Sequence, residues 1–280
     1  MAKIIDGKAI SARIKDELKD EVARLKDQGK EASLAVIQVG NDPASCVYVN
    51  NKKKACAYIG IGSESYELPE ETTEDELLAL IDRLNDDPKI TGILCQLPVP
   101  KHINEDTIIR RISPAKDVDG FHPMSVGALC IGEKGFASCT PAGVMKLLEY
   151  SDIAVEGREC VVVGRSNIVG KPMALMLLKA NGTVTVCHSR TKNLKEVCKR
   201  ADILVVAVGK PKMITEEYVK DGAVVIDVGI HRMDNGKLCG DVDYDRVEDK
   251  CSAITPVPGG VGPMTIAMLM YNCVNALKED

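Results

Sequence analysis

Apolar positions recur along this chain with two different periods. Residues 8–27 carry Ala9, Ile10, Ile14, Leu18, Val22 and Leu25 at helical spacing, which predicts an amphipathic helix. "LAVIQVG" (34–40) predicts a buried strand closed by Gly, and "NDPAS" then opens a helix over 44–58. "SESYELP" (63–69) reads as a second strand, and "TTEDELLALIDRLN" (72–85) as a helix capped by Thr72 or Thr73 with acids in its first turn. "ITGILCQLPVP" (90–100) reads as a third strand running into prolines. The polar stretch 113–123 is broken by Pro and Gly and reads as a connector, and "LCIGEKGFASC" (129–139) as an interdomain hairpin or loop. "CTPAGVMKLLEYSDI" predicts a helix capped by Thr140 with Pro141 at its first position.

From residue 159 the alternation becomes regular. Strands are expected at "ECVVVGRS", "TVTVCHSR", "ADILVVAVG" and "GAVVIDVGI", with helices from about Gly170, over 192–200 and over 215–220. The fold class is therefore α/β, with two α/β domains. The second, 121–263, is a Rossmann-like doubly wound parallel sheet. The first spans 1–120. The final apolar helix, 264–280, is expected to return to it, so that the chain crosses between domains twice.

Composition narrows the function classes. Of 280 residues, 45% are apolar and 3% aromatic, with no Trp, so the core rests on Val, Ile, Leu, Met and Ala. The net charge of −5 argues against nucleic acid as the main partner. Eleven cysteines without a CxxC pair speak for reduced thiols and against a zinc site. No apolar run is long enough for a membrane span, and the N-terminal stretch lacks the apolar core of a secretion signal. The four histidines form no acid–base pair or metal cluster by spacing, and no metal is expected.

"CVVVGRSNIVGKPMALML" places Gly164 after a buried strand and Gly170 at the start of a helix. This is neither GxGxxG nor a P-loop, but a tight turn leading into a helix N-terminus favours an anion. A plain strand-to-helix turn without a ligand is the alternative. In NAD-binding sheets an acid near the end of the second strand takes the ribose hydroxyls. Here that end reads "CHSRT", with Ser189 and Arg190 and no acid, and Arg165 follows Gly164. The pattern favours NADP over NAD, unless Arg165 and Arg190 are ordinary surface charges.

"ASCVYVNNKKKACAYIGIG" (44–62) holds three consecutive lysines. On a helix, Ser45, Tyr48 and Lys52 share a face. Lys53 and Lys54 are turned away by about 100° and 200°. Spacing alone leaves Lys52 either a solvated charge or a pocket residue. The stretch resembles the lysine helix of the bifunctional methylenetetrahydrofolate dehydrogenase/cyclohydrolase (FolD) family. Further stretches match the family in order: "DGKAIS" (6–11), "GILCQLPVP" (92–100), "PAKDVDGFHP" (114–123), "CTPAG" (139–143), "VVVGRSNIVGKP" (161–172), "VAVGKP" (206–211), "VIDVGI" (225–230) and "ITPVPGGVGPMT" (254–265). Together they cover the whole chain.

The resemblance implies NADP-dependent oxidation of 5,10-methylenetetrahydrofolate, then hydrolysis of the methenyl product to 10-formyltetrahydrofolate, in one-carbon metabolism and purine biosynthesis. It implies a cytoplasmic homodimer. Lys52 is then the key lysine, with Gln96 orienting it, Tyr48 offering a flat face to a pterin-like ring, and Asp119 as the folate-binding carboxylate, otherwise an Asp-Gly turn. Asp117 reads as a turn residue. Cys95 and Leu97 flank Gln96 and join the folate contacts, with no chemical role for Cys95. Pro258, Gly259, Gly260, Val261 and Gly262 form a loop whose backbone can approach folate. The cofactor contacts are then Gly164, Arg165, Ser166, Ser189 and Arg190, with Gly229 and Ile230 at the end of a parallel strand, the edge where such sheets bind ligands. Lys53 is a departure that adds charge beside Lys52.

Overall fold

The computed structural model describes residues 2–278, apart from the side chain of Ala44. The chain divides into two units, residues 12–137 with 266–280 and residues 1–11 with 138–265. Residues 1–11 therefore fall with the second sheet and not with the first, because Lys3–Ile4 pairs in parallel with Cys251–Ile254. Residues 121–137 fall with the first unit. The chain passes between units at 11/12, 137/138 and 265/266.

The first unit is built on a three-stranded parallel sheet in the order Gly62–Leu68, Ser33–Val39, Gly92–Cys95. The central strand is almost wholly buried and the edge strand Gly62–Leu68 largely exposed, which is why only the former carries a continuous apolar run, Leu34–Ile37. Helix Glu74–Asp86 is capped by Thr73 in a reciprocal box with Glu76. It buries Leu77, Leu80, Ile81 and Leu84 against Ile93 and Ile108. Helix Pro43–Ile59 begins at Asp42, whose carboxylate accepts the Ser45 N–H at 2.8 Å. Helix Pro123–Ile131 occupies the start of the stretch expected to be a hairpin or loop. The C-terminal helix, Val261–Asn275, belongs to this unit from Ile266 onward. There Asn272 donates to the Val118 and Ala137 carbonyls at 2.8 and 3.0 Å.

The third strand stops at Cys95 instead of reaching residue 100. The Gln96 N–H still reaches the Ile37 carbonyl at 2.8 Å, but Pro98 and Pro100 have no N–H to extend the ladder.

The second unit is a six-stranded parallel sheet in the order Lys3–Ile4, Cys251–Ile254, Ala223–Asp227, Ile203–Val206, Glu159–Val163, Thr183–Cys187. Counted from residue 159, the strands run 2-1-3-4-5, a doubly wound order. Its switch point lies between Glu159–Val163 and Ile203–Val206, where such sheets bind ligands beyond the strand C-termini. Helix Gly170–Lys179 follows the first of these strands, and Leu194–Cys198 is shorter than the expected 192–200. Residues 215–220 make only a 3-10 turn at Glu216–Tyr218. Ile214 is already bridged to Val242 and Ala223 already opens the next strand, leaving room for little more. Helix Cys139–Tyr150 begins after Ser138, not Thr140. The Thr140 hydroxyl lies 3.0 Å from that of Thr265, and Pro141 remains within the first turn, where no N–H is needed.

Candidate functional site

In the first unit, the helix that places Asp42 at its cap carries Tyr48 and Lys52 on its inner side. Lys52 is 8% exposed and Tyr48 half-buried, while Lys53 is half-buried and Lys54 exposed. The Lys52 ammonium donates to Gln96 Oε1 at 2.9 Å. Gln96 Nε2 donates to the Leu97 carbonyl at 2.6 Å, which fixes which end of the amide faces the lysine. Lys53 instead pairs with Glu67 at 2.8 Å on the surface.

Cys95 and Leu97 line a recess with Ile93, Phe121, Asp117 and Asp119. Burial above all, with the negative potential of Asp119 and Glu105, pushes the Cys95 thiol up to about 12. It is therefore a thiol at neutral pH and not a nucleophile. Asp119 is half-buried at the recess and precedes Gly120, whose N–H closes a turn onto the Asp117 carbonyl at 2.9 Å.

Asp117 does more than the turn expected of it. Its buried carboxylate accepts the N–H groups of Phe121 and His122 and the Ser125 hydroxyl at 3.2, 2.8 and 2.9 Å. Burial nevertheless raises it to about 6, with the Asp119 charge adding to the shift and the hydrogen bonds opposing it. One residue earlier, the Lys116 ammonium donates to the carbonyls of Leu84, Asn85 and Asp87 at 2.9, 2.7 and 2.7 Å, at the C-terminal end of helix Glu74–Asp86. Lys116 and Asp117 thus clamp the segment that presents Asp119. "PAKDVDGFHP" contains both, but nothing in its pattern names their partners.

In the second unit, Gly164 has φ of +139°, and a Cβ there would lie 2.2 Å from the Ala207 carbonyl oxygen. A side chain is excluded both by the backbone conformation and by space. Ser166 Oγ accepts the N–H groups of Val169 and Gly170 at 3.2 and 3.3 Å, shaping the entry to helix Gly170–Lys179. Arg165, Ser166, Ser189 and Arg190 are exposed, and neither guanidinium pairs with a carboxylate among the described residues. A tight turn, a helix N-terminus and two uncommitted guanidinium groups at a sheet's C-terminal edge suit the phosphates of a dinucleotide that carries an extra 2′-phosphate.

Gly229 and Ile230 follow strand Ala223–Asp227. Ile230 is 46% exposed. A Cβ on Gly229 would sit 2.5 Å from the Asp241 carboxyl carbon, so a buried neighbour already requires glycine here. One histidine meets a carboxylate that spacing does not reveal: His231 Nε2 lies 2.7 Å from Asp241 Oδ1. Pro258 and Gly262 are exposed, Gly259 half-buried, and Gly260 and Val261 buried, all within this second unit. The Lys8 N–H donates to the Gly259 carbonyl at 2.9 Å, anchoring the loop to "DGKAIS".

Residues 5–119 match the family profile of the tetrahydrofolate dehydrogenase/cyclohydrolase catalytic domain, and residues 138–280 that of its NAD(P)-binding domain. The bifunctional protein FolD of Lachnoclostridium phytofermentans is 72% identical over 279 residues, covering 100% of this chain and 99% of the relative. Among solved structures, the bifunctional FolD methylenetetrahydrofolate dehydrogenase/cyclohydrolase of Campylobacter jejuni superposes with a TM-score of 0.97 at 53% identity, over 99% of each chain. The Trypanosoma brucei N5,N10-methylenetetrahydrofolate dehydrogenase-cyclohydrolase, complexed with NADP cofactor and inhibitor, gives 0.94 at 38% identity, over 99% of this chain and 97% of the other. With both domain profiles matched in order and relatives aligned from end to end, the chain belongs to the tetrahydrofolate dehydrogenase/cyclohydrolase family.

Proposed function

We propose that Lys52, held by Gln96, is the group through which this protein moves protons in two successive folate reactions. The protein is an NADP-dependent methylenetetrahydrofolate dehydrogenase and a methenyltetrahydrofolate cyclohydrolase. It oxidises 5,10-methylenetetrahydrofolate to the methenyl compound and hydrolyses that to 10-formyltetrahydrofolate. The part-buried Lys52–Gln96 hydrogen bond carries the mechanistic reading.

NADP, when bound, accepts the hydride that leaves the folate methylene. Gly164, Arg165, Ser166, Ser189, Arg190, Gly229 and Ile230 hold it in this reading, the two arginines meeting its 2′-phosphate. Asp119 accepts hydrogen bonds from the pterin amide and amine, Tyr48 supports the ring, and Cys95, Leu97 and Pro258–Gly262 complete the folate contacts. In hydrolysis, water oxygen bonds the methenyl carbon and one water proton leaves by way of Lys52 to solvent. As the bond from that carbon to N5 breaks, the second water proton passes to N5. Gln96 Oε1 holds the amine in line throughout.

The same reading includes assembly as a homodimer and residence in the cytoplasm. Strand Thr183–Cys187 ends the six-stranded sheet with an unpaired edge. Val186 on it and Leu178 on the preceding helix are 40% and 61% exposed, an edge suited to a second copy. The eleven cysteines are free, as a reducing compartment favours. No helix among the described residues is long and apolar enough to cross a membrane.

The test is a pair of absorbance assays on the purified protein: NADPH formation from methylenetetrahydrofolate, and decay of methenyltetrahydrofolate without cofactor. Activity in both supports the reading. Loss of the second in wild type would leave a dehydrogenase alone.

A further inference from the structure

Three backbone N–H groups in a row, from Val208, Gly209 and Lys210, point at one carboxylate. Asp241 is fully buried. Its Oδ2 accepts from Val208 and Gly209 at 2.6 and 3.0 Å, and its Oδ1 from Lys210 at 2.9 Å. The same Oδ1 lies 2.7 Å from His231 Nε2. The Asp241 N–H in turn donates to Asp227 Oδ1 at 3.0 Å, and Gly229 donates to that same oxygen at 3.0 Å.

Two loops are therefore tied to one side chain. Residues 207–210 follow strand Ile203–Val206 at the switch point of the sheet, and their Ala207 carbonyl is the group that leaves no room for a Cβ on Gly164. Residues 228–231 follow the neighbouring strand and carry Gly229 and Ile230. A carboxylate that accepts four hydrogen bonds with no water between them is a strong, directional clamp. A shift of Asp241 moves both loops together, since Gly229 packs directly on its carboxyl carbon.

We propose that Asp241 is the positioning residue for NADP binding: without touching the cofactor, it sets the shape of loop 207–210 and its spacing from Gly229 and Ile230. The proposal rests on the NADP-dependent reading above and extends it to a residue ten positions beyond His231, outside every stretch that carried the family resemblance.

The experiment uses the full-length protein and NADP itself as probe. Asp241→Asn keeps the size of the side chain but gives it an amide N–H₂ that must face backbone donors whichever way it is turned. Calorimetric titration should show NADP binding weakened by about tenfold or more. Hydrolysis of methenyltetrahydrofolate without NADP should stay within about twofold of wild type. His231→Ala, which removes one of the four donors, should weaken NADP binding by about threefold, and His231→Gln, which keeps a donor, should restore it.

Wild-type NADP affinity in Asp241→Asn overturns the proposal, as does an equal fall in NADP binding and hydrolysis, which would mark Asp241 as scaffold only. If Asp241→Asn does not fold, the His231 pair decides: equal affinity in Ala and Gln variants overturns it. A wild-type protein that fails to bind NADP sinks the cofactor reading itself, and the proposal with it.

Discussion

Lys52 Nζ and Gln96 Oε1 are joined by a 2.9 Å hydrogen bond that ties helix Pro43–Ile59 to the residue after strand Gly92–Cys95. The bond makes the position of the amine depend on the sheet, since the Gln96 N–H is itself bonded to Ile37 in the central strand. Lys53 and Lys54 have no such anchor. One belongs to a surface ion pair and the other is exposed.

Lys52→Met is expected to abolish hydrolysis of methenyltetrahydrofolate while the protein stays folded. Methionine has similar reach and tolerates burial, but carries no proton. Lys54→Met should leave hydrolysis near wild type. The check is the cofactor-free hydrolysis assay beside a thermal melt of each variant. Near-normal hydrolysis in Lys52→Met, or an equal loss in Lys54→Met, refutes the assignment.

Asp119→Ala is expected to raise the folate KM and lower turnover without weakening NADP binding in a direct titration. Removing a carboxylate that accepts two hydrogen bonds from buried donors costs about 2–5 kcal/mol by analogy with charge-assisted pairs. Unchanged folate affinity would take Asp119 out of the site.

The two sheets were legible because burial on both faces turns parallel strands such as Leu34–Ile37 and Cys160–Val163 into continuous apolar runs. Lys52 was separable from its neighbours because a helix turns each successive side chain by a fixed angle. What could not be read is what depends on partners far apart in sequence. Asp227 and Asp241 look like ordinary strand-end and turn acids until the fold brings them to 3.0 Å contact across 14 residues. Asp117 looked like the turn and Asp119 like the ligand. Only burial distinguishes the carboxylate that organises the segment from the one left beside the recess. Of the segments shorter than their patterns, 90–100 is cut by prolines and 215–220 by flanking strand pairing.

Arg165→Ala is expected to raise the NADP KM by about tenfold or more, equivalent to about 1.4 kcal/mol, and to leave NAD kinetics nearly flat. A guanidinium gives a phosphate two parallel hydrogen bonds that a ribose hydroxyl cannot accept in the same way. Arg165 is exposed and pairs with no carboxylate among the described residues, so it is free to meet the ligand. The measurement is kcat/KM with both cofactors for wild type and variant. If NADP and NAD fall together, Arg165 supports the loop and does not read the phosphate.

Asp117 carries a dependence of stability on pH whose sign follows from its burial. Its folded value is about 6 against an ordinary 3.8. Between those values the folded protein holds a proton that the unfolded chain has released, so its contribution to stability falls as pH rises from about 4 to about 6. Below that window the contribution is fully present; above it, the carboxylate is charged in both states and the loss is complete. Asp227, raised to about 6 by burial and by the neighbouring Asp241, acts in the same direction. Asp117→Ala removes one of these two groups. Whatever its absolute stability after losing three hydrogen bonds, its unfolding free energy should fall less steeply than that of wild type across this window. Urea melts at several pH values give both slopes. Parallel slopes would mean that the Phe121, His122 and Ser125 donors keep Asp117 ionised in spite of burial, and the clamp on the Asp119 segment would then be a charged one at every working pH.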